Sequence, residues 1–118
     1  MRAGVLNLLA LQGSTFSRTL TWQIDGQPVN LTGYQARMQI RTVPANIKPA
    51  RLLLNLTTVS NRGLVLDHEN GGVTISISAA DTSTLPAGSH VYDLELVSGD
   101  YVQRLVQGKF DVSAEVTK

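Results

Sequence analysis

The chain has 118 residues, 42% of them hydrophobic and 16% charged, with a formal net charge of +1. That length supports one domain with its own core, and so apolar a composition excludes a disordered polypeptide. The ten Lys and Arg residues are spread along the sequence, which disfavours a nucleic-acid partner, since that affinity needs many phosphate contacts made together; without cysteine, disulfides and thiolate metal sites are excluded, as suits folding in a reducing cytosol.

Arg2 followed by the apolar stretch Gly4 to Leu11 begins like a leader peptide, but Asn7 interrupts it and Gln12 stands where small residues would mark cleavage. Val5 to Leu11 is read instead as a first strand, apolar on both faces and so covered on two sides or crossing between sheets. No apolar stretch approaches bilayer length, and no membrane partner is expected. Gly13 and Ser14 permit a turn. Phe16, Leu20, Trp22 and Ile24 then alternate with Thr15, Ser17, Thr19, Thr21 and Gln23, the period of a strand with one dry face. Asp25-Gly26 predicts a tight hairpin, because a primed turn needs positive φ. The next strand follows that turn: Asn30 to Gly33 lead into Tyr34, Ala36, Met38 and Ile40, alternating with Gln35, Arg37, Gln39 and Arg41.

Val43 to Ala50 holds Pro44 and Pro49 and reads as an irregular excursion or an edge. Leu52, Leu54 and Leu56 share a face, with Leu53 outward. Asn61 to Gly63 turns the chain, Leu64 and Leu66 resume the pattern, and Asp67 to Gly72 is a polar turn. Val73, Ile75 and Ile77 form a strand against Thr74, Ser76 and Ser78. One short helical turn is expected near 79–84, capped by Ser78 with Asp81 as reciprocal acid and stopped by Pro86. Gly88 opens a long strand with His90, Tyr92, Leu94 and Leu96 opposed to Val91, Asp93, Glu95 and Val97. After the Ser98-Gly99-Asp100 turn, Val102, Val106, Phe110, Val112 and Ala114 keep one phase, with Gly108 a candidate bulge.

Seven or eight short strands at even spacing, with no helical periodicity over three turns, predict an all-β, immunoglobulin-like antiparallel β-sandwich forming a single domain over 1–118. Chemistry is hard to place on it. Asp67-His68-Glu69 is the densest group of metal-ligand types, but alternation separates the imidazole from the acids, and His90 lies on another strand. No Gly-x-Ser-x-Gly elbow accompanies the serines. Asp93 and Glu95 share an outward face at roughly 6–7 Å, a spacing that overlaps that of glycosidase carboxylates but is common on solvated strands. Asn30-Leu31-Thr32 and Asn55-Leu56-Thr57 match the glycosylation pattern, as short patterns often do by chance. Arg18 and Arg104 fall in phase with apolar neighbours and are expected at the rim of the sandwich or at a subunit contact. Of the aromatics, Phe16, Trp22, Tyr34, Tyr92 and Phe110 are in phase with the core; Tyr101 alone is displayed, a thin basis for a carbohydrate-binding module. No catalytic, cofactor-binding or metal-binding residue is assigned, and an enzyme is not expected.

Gln12-Gly13-Ser14-Thr15-Phe16, then Asp25-Gly26 with Val29-Asn30-Leu31-Thr32-Gly33, follow an order met elsewhere. So do Ile77-Ser78-Ala79-Ala80-Asp81, Leu85-Pro86-Ala87-Gly88, Tyr92-Asp93-Leu94-Glu95-Leu96, and Gly108 with Val112. Together these motifs span nearly the whole chain and resemble the small β-sandwich virion proteins of tailed bacteriophages, in particular the N-terminal module of phage baseplate upper proteins. His90, where the family usually has Tyr two residues after Gly88, and the excursion Val43 to Ala50 depart from its pattern. The resemblance implies a non-enzymatic virion protein, assembled in the host cytoplasm, at a tail, baseplate or fibre-attachment position; capsid decoration or a neck role is the alternative. The expected partners are other virion structural proteins, with the chain in a symmetric homo-oligomer or part of a larger assembly. Val5 to Leu11 and Val43 to Ala50 are the expected docking elements.

Overall fold

A computed structural model describes residues 4–42 and 51–116. The expected excursion at 43–50 lies outside the described residues. The large sheet contains β1 (Gly4–Val5), β2 (Leu8–Leu11), β6 (Gln35–Thr42), β7 (Leu52–Thr57), β10 (Gly88–Ser98) and β11 (Tyr101–Ser113), in the order β1/β2–β11–β10–β6–β7. The small sheet is β3 (Phe16–Thr21), β9 (Gly72–Ile77) and β8 (Leu64–Asp67), in the order β3–β9–β8. A two-stranded ribbon, β4 (Gln23–Ile24) with β5 (Gln27–Pro28), stands apart. Eight of these strands have four residues or more, as the even spacing of apolar runs predicts.

Inward residues of both sheets form one core. Met38, Ile40, Leu94, Leu96 and Phe110 of the large sheet pack with Leu64, Val73, Ile75 and Ile77 of the small one, and Trp22, Leu31 and Leu85 close the ends. The all-β sandwich follows from the alternation, because a period of two leaves each sheet one dry face to cover. The α-helix α1 (Ala79–Thr84) lies where expected: Ser78 Oγ accepts from the Asp81 N–H at 3.1 Å, and the helix ends before Pro86. The ladder of β10 runs from Gly88↔Val112 to Ser98↔Tyr101, turning at Gly99-Asp100.

Several expectations are corrected. The N-terminal stretch breaks at Leu6-Asn7 and pairs parallel, not antiparallel, with β11. Its outward side chains Val5, Leu9 and Leu11 are exposed; only Leu8 and Ala10 are buried, so it is covered on one side. Asp25-Gly26 does form a tight turn with both residues at positive φ. It closes the β4–β5 ribbon rather than joining two long strands, because β3 and β6 belong to different sheets and Trp22 leaves the first for the core. Ile24 is accordingly exposed.

On β7, Ile40 pairs with Leu54 and Arg41 with Leu52, so Leu53 is an extra residue that packs against the core while Leu52 is exposed. On β11 the bulge falls at Leu105, left over between Leu94↔Val106 and Glu95↔Arg104. That extra residue inverts the face of everything before it. Val102 is therefore exposed and Arg104 points out, away from the apolar phase; Ala114 lies beyond the strand, also exposed. Gly108 pairs regularly with Tyr92. Its lack of a side chain serves another need: a Cβ there would run into the backbone carbonyl of Leu6 where the N-terminal segment crosses.

Candidate functional site

The outer face of the large sheet gathers most of the polar residues that the alternation turned outward. Its three central strands set Arg37 opposite Glu95 and Gln39 opposite Asp93, with Gln107 beyond Asp93. Arg37 Nε meets Glu95 Oε1 at 2.7 Å, and Arg104 Nε meets Asp93 Oδ2 at 3.5 Å. Arg104 Nη1 also donates to Gln107 Oε1 at 3.1 Å, and Arg41 Nη2 to Gln39 Oε1 at 2.9 Å. Asp93 and Glu95 thus share a face as their spacing predicts, but each is engaged by a different arginine in a cross-strand ladder. A depression of about 360 Å³ is lined by Arg37, Gln39, Asp93 and Glu95. The bulge at Leu105 brings Arg104 into this ladder, and no feature of the sequence marks it.

Beside that face runs the open edge of the sheet. The break between β1 and β2 is held by three contacts. Asn7 Oδ1 accepts from the Lys109 N–H at 3.0 Å, the Leu6 N–H donates to the Gln107 carbonyl at 2.9 Å, and the Tyr92 hydroxyl donates to the Leu6 carbonyl at 2.6 Å. Burial pushes the Tyr92 phenol up to about 12, and the charge of Arg18 partly offsets that rise. Arg18 itself is exposed on the edge strand β3, as expected of an arginine at the rim. A further depression of about 580 Å³ opens where the two sheets part, with Leu54, Leu56, Val65 and Ile77 among its lining.

The remaining candidates stay apart. Asp67, His68 and Glu69 occupy the exposed β8–β9 hairpin, where Asp67 Oδ2 accepts from Asn70 Nδ2 at 3.0 Å and the His68 carbonyl from the Leu31 N–H at 2.7 Å. Among the described residues no three His, Asp or Glu side chains converge on a metal position. His90 is buried, with Nε2 2.6 Å from the Pro86 carbonyl, so its imidazole ties β10 to the loop after α1. Tyr101 is exposed as expected, but its ring meets Tyr34 edge-on at 6.4 Å, and Tyr34 meets Trp22 at 6.0 Å. The displayed aromatic is the outer end of a chain leading into the core.

No protein-family model matches the chain, and no curated protein matches it in sequence. Among solved structures it is similar to the N-terminal domain of phage TP901-1 ORF48, with a TM-score of 0.50 and 15% identity over 93% of this chain and 85% of that one. An uncharacterized protein from Bacillus anthracis str. Ames also matches, with a TM-score of 0.46 and 15% identity over 96% of this chain and 85% of that one. At 15% identity the likeness to the phage domain establishes a shared fold.

Proposed function

We propose that this chain is a non-enzymatic structural component of a bacteriophage particle, sited in the tail, the baseplate or a fibre attachment, and that its work is adhesion between subunits. The observation that carries the reading is the fold shared with a phage domain across 93% of the chain, on a molecule whose outward strands present wet, mixed-charge contacts beside an unguarded apolar edge. Interfaces of assembled sandwiches use both kinds of surface, an apolar centre and a hydrogen-bonding rim. The motif order of the sequence points to the same family. The partners on this reading are other virion structural proteins.

The test is mass spectrometry of purified particles together with deletion of 43–50. The chain is expected among the particle proteins, and the deletion is expected to lower its incorporation while leaving the isolated protein folded. Particles that lack the chain altogether overturn the reading. A glycan array probed with the isolated chain addresses the carbohydrate alternative; binding that disappears in Tyr101→Ala would replace adhesion with sugar recognition.

A further inference from the structure

β1 and β2 form an outer strand of the large sheet that pairs only with β11, so its far side has no partner among the described residues. Natural sheets guard such edges with charge, proline or irregularity, because a bare row of backbone groups invites another strand. The other edges carry charge: Arg18 lies within β3, β8 runs from just after Arg62 to Asp67, and β7 directly follows Arg51. From Gly4 to Ser17 there is neither a charged residue nor a proline. Val5, Leu9 and Leu11 are 75%, 61% and 56% exposed along this strand.

The backbone is oriented to match. The Leu6 N–H donates to Gln107 and the Gln12 N–H to Ser113. Residues of that parity face β11, so the N–H groups of Leu9 and Leu11 face the open side. A two-fold axis through the edge at Ala10 and perpendicular to the sheet sets Leu9 of one copy against Leu11 of the other, antiparallel, outward side with outward side. Both residues then exchange backbone hydrogen bonds. The Leu11 carbonyl already accepts from Ser14 at 3.0 Å and has a second lone pair to offer. A shift by one residue would turn the apolar side chains to the wrong face, so the register is restricted.

Charge favours a second copy over a polar or charged partner. The edge strand itself offers no counter-charge; of the acids beside it, Asp111, paired with Leu9, already accepts from the Ser89 hydroxyl, and Glu115 lies against Gly13 past the end of β2. The two-fold places no charged residue of the strand opposite another, and a net charge of +1 leaves little repulsion between copies. We infer that a second copy of this chain docks antiparallel along β2, continuing the large sheet across a two-fold axis. This names one partner for the adhesive reading and rests on it for the need of a partner. Because it is tested on the purified chain, its failure is distinct from absence of the chain from particles.

Sedimentation equilibrium of the full chain should give twice the chain mass, returning to monomer on dilution. Leu9→Lys, which places a charge at the seam, should be monomeric at the same concentrations, whereas Val65→Lys on the exposed edge of β8 should remain dimeric. A wild-type chain that is monomeric throughout, or a dimer that survives Leu9→Lys, overturns the inference. Should Leu9→Lys fail to fold, an equimolar mixture of Leu9→Cys and Leu11→Cys replaces it. Paired residues of this kind stand about 5.5 Å apart between Cα atoms, within disulfide reach, and the chain has no other cysteine. Oxidation should then give a covalent dimer, and its absence from the mixture overturns the inference.

Discussion

The hydroxyl of Tyr92, in the middle of β10, donates to the backbone carbonyl of Leu6 at 2.6 Å, across the intervening strand β11. This contact pins the break between β1 and β2, and Gly108, paired with Tyr92, is the residue that lets Leu6 come so close. Tyr92→Phe leaves that carbonyl without its phenol donor and should destabilise the fold by about 1–2 kcal/mol in urea unfolding at neutral pH.

The same residue makes stability depend on alkaline pH. The Tyr92 phenol is raised from 10.0 to about 12, chiefly by burial, with Arg18 acting in the opposite sense. The folded state therefore holds this proton more tightly than the unfolded chain. The contribution is intact below pH 10.0 and is lost as pH rises toward about 12. Unfolding midpoints measured across that window should fall for the wild type, and the part of the fall due to this group should vanish in Tyr92→Phe.

Gly108→Ala places a methyl group against the Leu6 backbone, which cannot swing aside as a side chain would. The expected cost is about 1–3 kcal/mol in thermal or urea unfolding. Amide exchange at Leu6, which donates to Gln107, should accelerate if β1 is displaced. An unchanged Leu6 amide would show that the strand adapts without leaving its place.

Thr82 is the fully buried polar residue of α1. Its hydroxyl donates to the Ser14 carbonyl at 2.8 Å and accepts from the Gly13 N–H at 3.1 Å, joining the helix to the turn between β2 and β3. Thr82→Val keeps the shape and removes both bonds. A loss of about 1–3 kcal/mol is expected, larger than for Ser78→Ala, where loss of the cap costs about 1 kcal/mol.

Glu95→Gln tests the outer face from the other side. The Arg37–Glu95 pair is short, but Arg37 is largely exposed, so its removal should change stability by less than about 1 kcal/mol, and by less still at high salt, where the pair is screened. If the face contacts another subunit in the particle, incorporation should fall far more than stability does. Equal losses in the two measurements would mean that the face serves folding.

Local chemistry was legible wherever a residue's neighbours in sequence were also its structural determinants. The alternation of Val73, Ile75 and Ile77, and of Tyr92, Leu94 and Leu96, marks strands with one dry face, and all six residues are buried. Ser78 and Pro86 bound the helix because capping and the missing proline N–H act within one turn. Asp25-Gly26 identifies a primed turn for the same reason, although not the strands it joins. The outward acids and arginines of β6 and β10 were equally readable from the period of two.

The tertiary structure alone decided how these pieces meet. Leu53 and Leu105 became bulges through the registers of β7 against β6 and of β11 against β10, long-range relations that leave no local trace. One extra residue before Val106 turned Arg104 from the apolar phase to the ladder with Asp93, and Val102 to the solvent. Val5, Leu9 and Leu11 read as part of a strand apolar on both faces and so covered on two sides or crossing between sheets, yet only the face carrying Leu8 and Ala10 is covered, which left them exposed on the other. Alternation states which residues share a face; which faces are covered depends on strands far away in the chain, and the edge along β1 and β2 is one that no distant strand covers among the described residues.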